Sequence, residues 1–476
     1  MMRLAMIGIA LVALGWPSPG ASADEPLREQ AAAALRLAAG FYRERVAVEG
    51  GYVFRYSEDL ARREGEERVG AKAAWLQAPG TPAVGMAYLD AFAATGDAYY
   101  RDAATETARA LVRGQLRSGG WDDRIEFEPA ERERFAYRVD PERPRARNVT
   151  TLDDDKTQSA VRFLLRADKA LEFQDAAIHE ATRYALDHLI AAQYPNGAWP
   201  QRFDAPPDPA RFPVKPAGYP ETWPRTYTKA KYDHFYTLND GTQADMVALM
   251  LDAWRQYQAK GDLDAALRGG EFFLLAQMPA PQPAWAQQYD AEMRPTWARK
   301  FEPPAITGGE SIGAMRALLG LYHETGDGKY LKPIPPALDY LRGSRLPDGQ
   351  LARFYELKTN RPLFFTRDYQ LTYDDADVPT HYAFKVNDGT ATIARDYERA
   401  LAKGPVKPGS VARKPGRPPE DRVRAVIAAL DDQGRWVEEG RLRTHGKDDP
   451  TRRVIEGRTF VRNAQTLSQY LLATKP

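Results

Sequence analysis

Three short segments concentrate charge where folding alone does not ask for it. The first, Thr150-Thr151-Leu152-Asp153-Asp154-Asp155-Lys156-Thr157, stands just before a helical pattern. A helix cap accounts for one aspartate there, and Asp155 suits that role. Three in a row repel one another, so Asp153 and Asp154 point to a cation or a cationic partner, with a solvated acidic turn as the alternative. The second segment, Tyr232 to Gly241, holds Asn239 and Asp240, oxygen donors of the hard kind that calcium takes. A zinc site would cluster histidines instead. No EF-hand spacing is present, so ligands would have to converge from separate helix starts, and capping explains Asn239 and Asp240 as well. The third segment is basic and broken into pieces: Trp297-Ala298-Arg299 with Glu302, Ala352-Arg353-Phe354-Tyr355-Glu356, Asn360-Arg361-Pro362 and Thr366-Arg367-Asp368. Arginine among aromatic residues in loops suits bidentate capture of carboxylates. Ion pairing with Glu302, Glu356 and Asp368 is the structural alternative.

The elements that must carry these segments are helices. Apolar residues at three and four spacing cover about 27–46, 82–94, 98–116, 157–172, 174–193, 242–258, 263–277, 311–325 and 329–341, with further helices near 421–430 and 463–472. Three times a helical pair ends in a glutamine and turns into a tryptophan: Gln115 and Trp121, Gln193 and Trp199, Gln277 and Trp285. Such repetition predicts stacked helical hairpins in one domain, with their loops gathered at two ends and a wide cleft across one of them. The Pro-rich, aromatic loop from Asp204 to Tyr232 is long enough to be functional. The expected organisation is a signal peptide at 1–23, a helical toroid at 24–404, a surface linker at 405–419, and a helical extension at 420–476 packed on the same domain.

Composition removes whole classes of chemistry. The chain of 476 residues has no cysteine, which excludes zinc-thiolate sites, thiol nucleophiles and thiol redox chemistry. Its 66 Lys and Arg nearly balance 65 Asp and Glu, so net charge argues for neither nucleic acid nor membrane as a partner. Arg3, the apolar run Leu4–Leu14 and Ala21-Ser22-Ala23 read as a secretory signal, too short to span a bilayer. A secreted or periplasmic protein without disulfides needs a large core, and this length allows one.

At these residues the chain resembles family ten of the polysaccharide lyases, the all-helical pectate lyases. The matching pieces are Leu152-Asp153-Asp154 with Thr157, Ala191 to Gly197 with Trp199-Pro200-Gln201, Asp233-His234 with Thr237 to Asp240, Trp297-Ala298-Arg299, Gly308-Gly309-Glu310-Ser311, and Ala352 to Glu356 followed by Thr359 to Pro362 and Thr366 to Asp368. They run in family order over roughly residues 30 to 390. The resemblance implies an all-α fold, an incomplete (α/α) toroid of antiparallel hairpins around a cleft, acting on polygalacturonate with calcium (Ca2+). It further implies that Asp153, Asp154 and Asp240 hold the metal, Arg299 is catalytic, and Arg353 and Arg367 bind substrate, with Arg361 as an added contact. The chain departs from the pattern in its long loop from Gln201 to Tyr232, in an apparent insertion from Asp122 to Asn148, and in Asp154-Asp155 where Asn-Gly or Asp-Gly is usual.

The reaction so implied is β-elimination giving unsaturated oligogalacturonides. The hydrogen on C5 of a uronate is a poor acid, because its loss adds negative charge beside a carboxylate, and a cation and arginines would have to offset that charge. Two other readings compete. A glycoside hydrolase on a helical toroid needs only two carboxylates across a cleft. A non-catalytic polysaccharide-binding protein needs the cleft and the aromatic loops without Arg299.

Overall fold

Three successive repeats are pinned at the glutamine-to-tryptophan turn. In the computed structural model, which describes residues 27–229, 231–232, 234–406 and 416–475, the chain passes Gly119 (φ 108°) or Gly197 (φ 91°) on its way into Trp121 or Trp199. The signal peptide, Asp233 and residues 407–415 of the linker lie outside the described residues. The buried indoles of Trp121, Trp199 and Trp285 donate from Nε1 to the carbonyls of Leu111, Leu189 and Phe273, in the helix just left, at 2.9, 2.8 and 2.9 Å. The side-chain amides of Gln115, Gln193 and Gln277 donate forward to the carbonyls of Ala181, Ala265 and Pro333, tying each turn to the next repeat. A residue in the first turn of the following helix then clasps the loop backbone. Thr157 does so for Trp121, Gln243 for Trp199 and Ser311 for Trp285, each accepting from the tryptophan N–H. Trp436 repeats the device, donating to the Val426 carbonyl at 2.9 Å.

Buried polar groups that are all paired in this way fix one geometry, and the turn glycines leave no room for a side chain. A methyl group on Gly197 would stand 1.9 Å from the Arg268 carbonyl oxygen. Gly197→Ala is therefore expected to destabilise the fold by about 2–4 kcal/mol, since it combines a clash with an unfavourable positive φ. A thermal melt checks this, and an unchanged Tm would mean that the turn is not a fixed pin.

Outer and inner helices form six pairs among the described residues, and the tryptophan turn joins four of them. The six pairs are α1 (Leu27–Phe41) with α2 (Thr81–Thr95), α3 (Ala98–Gly114) with α4 (Lys156–Ala170), α5 (Ala176–Ala191) with α6 (Thr242–Tyr257), α7 (Lys260–Ala276) with α8 (Gly308–Thr325), α9 (Ile334–Gly343) with α10 (Thr390–Lys403), and α11 (Glu420–Ala428) with α12 (Gly457–Ala473). The inner helices pack in the order α12, α2, α4, α6, α8, α10, whereas α10 and α12 barely touch, so the ring is open there. This is an incomplete (α/α) toroid. The last helix meets the first: α12 packs on α1 and α2, and Arg28 donates to the Leu471 carbonyl. Among the described residues no helix is long and apolar enough to cross a membrane.

Connections from inner to outer helices are tight at Gly96 and Gly326, both left-handed C-caps, whereas residues 404–419 separate α10 from α11. Those from outer to inner helices are long and lie together at the end where the inner helices start. Two features there differ from the sequence reading. Helix α10 was not expected, because it buries only Thr390, Ile393, Ala394 and Ala400 and so carries a thin apolar stripe. Short strands also appear, including an antiparallel sheet of residues 371–372, 362–365, 354–356 and 305–307 in that order. Beside it Trp297, Phe354, Leu363, Phe364, Phe365 and Phe384 form a small separate core under the arginine-bearing loops.

Candidate active site

Two neighbouring repeats end their long loops in the same unusual turn. Asp153–Asp155 leads into α4 and Asn239–Gly241 into α6, each as a single 3₁₀ turn. The middle residue of each is left-handed, Asp154 at φ 53°, ψ 34° and Asp240 at φ 51°, ψ 29°. Aspartate tolerates this region better than most residues, yet it is seldom used without a reason. Here the turns bring one carboxylate oxygen each of Asp153, Asp154 and Asp240 within 4.8 Å of one another. The side chain of Asp240 caps no helical N–H; it accepts from Asn239 Nδ2 at 2.5 Å. Asp155 is turned away and pairs with Arg162 at 2.7 Å, so it too makes no side-chain cap.

Three carboxylates this close repel one another, and a hard divalent cation is the species that relieves them. Burial, then the charges of Asp154 and Asp153, push the Asp240 carboxyl up to about 7, although Arg299 works the other way. Burial and Asp154 likewise raise Asp153. The cluster is held open rather than collapsed: Gln201 Nε2 donates to Asp153 at 2.8 Å, and the buried Lys156 ammonium bridges Asp123 at 2.8 Å and Asp154 at 3.5 Å. The side-chain oxygen of Asn239 is buried without a protein donor, a further oxygen beside the cluster. The residues present therefore fit calcium. A cation site whose ligand is protonated near neutrality must lose affinity as pH falls. Calcium binding, followed by titration calorimetry, is expected to be about tenfold or more weaker at about pH 5.5 than at about pH 8. Equal affinity would place the cation elsewhere.

Arginine faces this cluster from one side. Arg299 donates from Nε and Nη2 to the two oxygens of buried Glu302 at 2.9 and 2.7 Å, and its Nη2 stands 3.9 Å from Asp240. Burial alone would lower the proton affinity of the guanidinium, but the Glu302 pairing outweighs it and holds the group firmly protonated. Arg353 donates to the Ala383 carbonyl at 2.8 Å, to Tyr382 Oη at 3.1 Å and to Glu310 at 3.3 Å, and lies 4.5 Å above the Tyr382 ring. Tyr382 in turn donates to Glu302 at 3.0 Å. One chain of contacts thus links Arg299, Glu302, Tyr382, Arg353 and Glu310.

Not every arginine singled out in the sequence joins it. Arg367 is 71% exposed and pairs with Asp377 at 3.2 Å. Its turn adjoins the Arg299 loop, because Lys300 stands 3.5 Å over the ring of Tyr369. Arg361 stacks on Tyr373 at 3.3 Å. Among the described residues neither contacts the carboxylate cluster. Glu356 is taken by Arg225 rather than by Arg353. Glu302 pairs with Arg299, as the structural alternative expected, whereas Lys156, Gln201, Glu310 and Tyr382 are site residues that sequence reasoning left without a role. Glu310 opens helix α8 in a Gly-Gly-Glu-Ser stretch, and that was the available signal; Tyr382 had none.

The toroid thus gathers a carboxylate cluster and facing arginines at the end where its inner helices start. Residues 130–330, which carry the cluster, Lys156 and Arg299, match the family model described as pectic acid lyase, so the resemblance read from the sequence holds for the segment that bears the site. Arg353 and Tyr382 lie beyond that match. Among solved structures the chain is similar to a family 10 polysaccharide lyase from Cellvibrio cellulosa, at 19% identity and a TM-score of 0.46, covering 68% of this chain and 97% of the other. A variant of that enzyme, in complex with trigalacturonic acid, is similar to the same degree. A family 76 α-mannanase from Bacteroides thetaiotaomicron is similar at 10% identity and a TM-score of 0.43, over 95% of this chain and 97% of the other. No curated protein matches.

Proposed function

We propose that the chain is a secreted, calcium-assisted pectate lyase that cleaves polygalacturonate by β-elimination. The observation that carries this reading is the pairing of a three-carboxylate cluster with an arginine 3.9 Å away, in a segment of pectic acid lyase type. Asp153, Asp154 and Asp240 would hold the cation, which when bound supplies Lewis acidity toward a uronate carboxylate. Arg353, fixed by Tyr382, Glu310 and the Ala383 carbonyl, presents charge to a neighbouring uronate. Arg361 and Arg367, on the outer loops, are proposed as contacts to more distant sugars.

Arg299 is proposed as the catalytic residue. The C5 proton passes to it, the electron pair forms the C4–C5 double bond, and the C4 oxygen leaves with the other half of the polymer and takes a proton from solvent. Because Glu302 holds Arg299 protonated, the residue must give up a proton before it can accept one. Activity therefore rises toward alkaline pH.

The hydrolase reading fits less well. A glycoside hydrolase keeps its two carboxyl groups apart across the bond, about 5 Å or more. Here Asp153, Asp154 and Asp240 are gathered within 4.8 Å of one another, as a cation requires. The test is the chemistry of the new chain end: elimination leaves a conjugated unsaturated uronate that absorbs ultraviolet light, and hydrolysis leaves none.

A further inference from the structure

A second cavity lies on the far face of the hairpin that joins the first and last repeats. Strand pairing sets its two faces, with Arg55 opposite Glu64 and Tyr56 opposite Arg63. The Arg55 face is satisfied within itself: Glu64 accepts from Arg55 and from the Arg443 and Thr444 amides, and Arg55 also donates to Glu456. The Tyr56 face opens into a cavity of about 630 Å³ lined by Arg45, Arg62, Arg63, Arg68 and His445, with no acidic side chain in its wall. Arg62 is offset by Asp449 at 3.4 Å. Arg45, Arg63 and Arg68 form no salt bridge among the described residues, although Glu126 lies within electrostatic reach of Arg63. Arg63, only 7% exposed, donates to the carbonyls of Ala71 and Ala73 at 2.8 and 3.0 Å, while its buried Nε has no protein acceptor. The exposed side chains of Arg45 and Arg68 make no ion pair or hydrogen bond among the described residues.

Three guanidinium groups without a salt-bridged carboxylate in one cavity create a positive field that favours an anion. The geometry points to a second binding site here, for a carboxylated sugar, separate from the catalytic cleft. The choice of ligand rests on the proposed pectate lyase reading, in which short oligogalacturonides are the anions that the enzyme itself makes. Their carboxylates match the guanidinium fork, and the apolar wall of Val46, Leu60 and Val69 suits the face of a sugar ring. This site retains polymer or product on the enzyme without taking part in the chemistry.

Titration of trigalacturonate into the full chain, with a chelator present, tests it against the double variant Arg45→Glu/Arg68→Glu. Both side chains are exposed, and an unchanged Tm confirms that the variant is folded. Binding is expected to weaken about tenfold or more in the variant, through loss of two charge-assisted contacts. With calcium restored, kcat on trigalacturonate is expected to stay the same. Equal binding by variant and parent would overturn the second site. Sulfate binding as tightly as trigalacturonate would overturn its assignment to a sugar. The proposed function fails separately, if the parent protein makes no unsaturated product from polygalacturonate; elimination by the parent with unchanged binding in the variant removes this site alone.

Discussion

Replacing Arg299 by lysine is expected to lower kcat on polygalacturonate by about a thousandfold, with a much smaller change in KM. Lysine keeps a positive charge near Asp240 but cannot reproduce the three contacts that Arg299 makes with Glu302, two from its side chain and one from its backbone N–H at 3.1 Å, since only the last survives. Without that fork nothing holds the cationic nitrogen at its position 3.9 Å from the carboxylate cluster. An interaction realised only as the C5 proton leaves appears in kcat, whereas a clamp on a carboxylate appears in ground state and transition state alike. Arg353→Ala is the comparison, because Arg353 is proposed as such a clamp and its loss should weaken binding as well. Should Arg299→Lys keep a near-normal kcat and show only a raised KM, Arg299 would be another clamp, and the proton acceptor would lie elsewhere in the cleft.

The second large effect concerns Asp240. Asp240→Ala is expected to leave the fold intact and abolish activity at ordinary calcium concentration, since it removes one of three carboxylates from a site that needs oxygen ligands. The substitution also ends the left-handed strain at φ 51° only if the turn relaxes, so Asp240→Asn, which tolerates the same backbone, is the better-matched partner variant. Both should keep Tm near that of the parent, because no helical N–H depends on the Asp240 side chain. Full activity of either variant in a chelator would show that the carboxylate serves only the backbone turn.

How much of this was legible in the sequence depends on the range of the interaction concerned. The repeat was readable, because a glutamine, a turn and a tryptophan recur within a few residues and the helices carry alanine-rich periodic stripes. Even so, the Trp436 turn was passed over, since Gln433-Gly434-Arg435 lacks the helix-ending glutamine that marked the others. The meeting of Asp153 and Asp154 with Asp240 was implied only by the family resemblance, because ligands on separate helix starts share no spacing, and the left-handed residue that aims them is a backbone property with no sequence signature outside glycine. Pairing of charges was the weakest ground. Glu356 is three residues from Arg353 and yet serves Arg225, while Glu310 and Tyr382, 43 and 29 residues away, hold Arg353. Spacing along a loop says little about which long side chains meet across a cleft, and for the same reason Arg361 and Arg367 could not be told from Arg353 in advance.

Calcium-assisted elimination on an acidic polymer is tested most directly by the ultraviolet absorbance of polygalacturonate incubated with the protein. With calcium at alkaline pH the absorbance of a C4–C5 unsaturated uronate should grow steadily; a chelator should stop it, and added calcium should restore it. New reducing ends without that absorbance would mean hydrolysis, and elimination that continues undiminished in the chelator would contradict the role given to Asp153, Asp154 and Asp240.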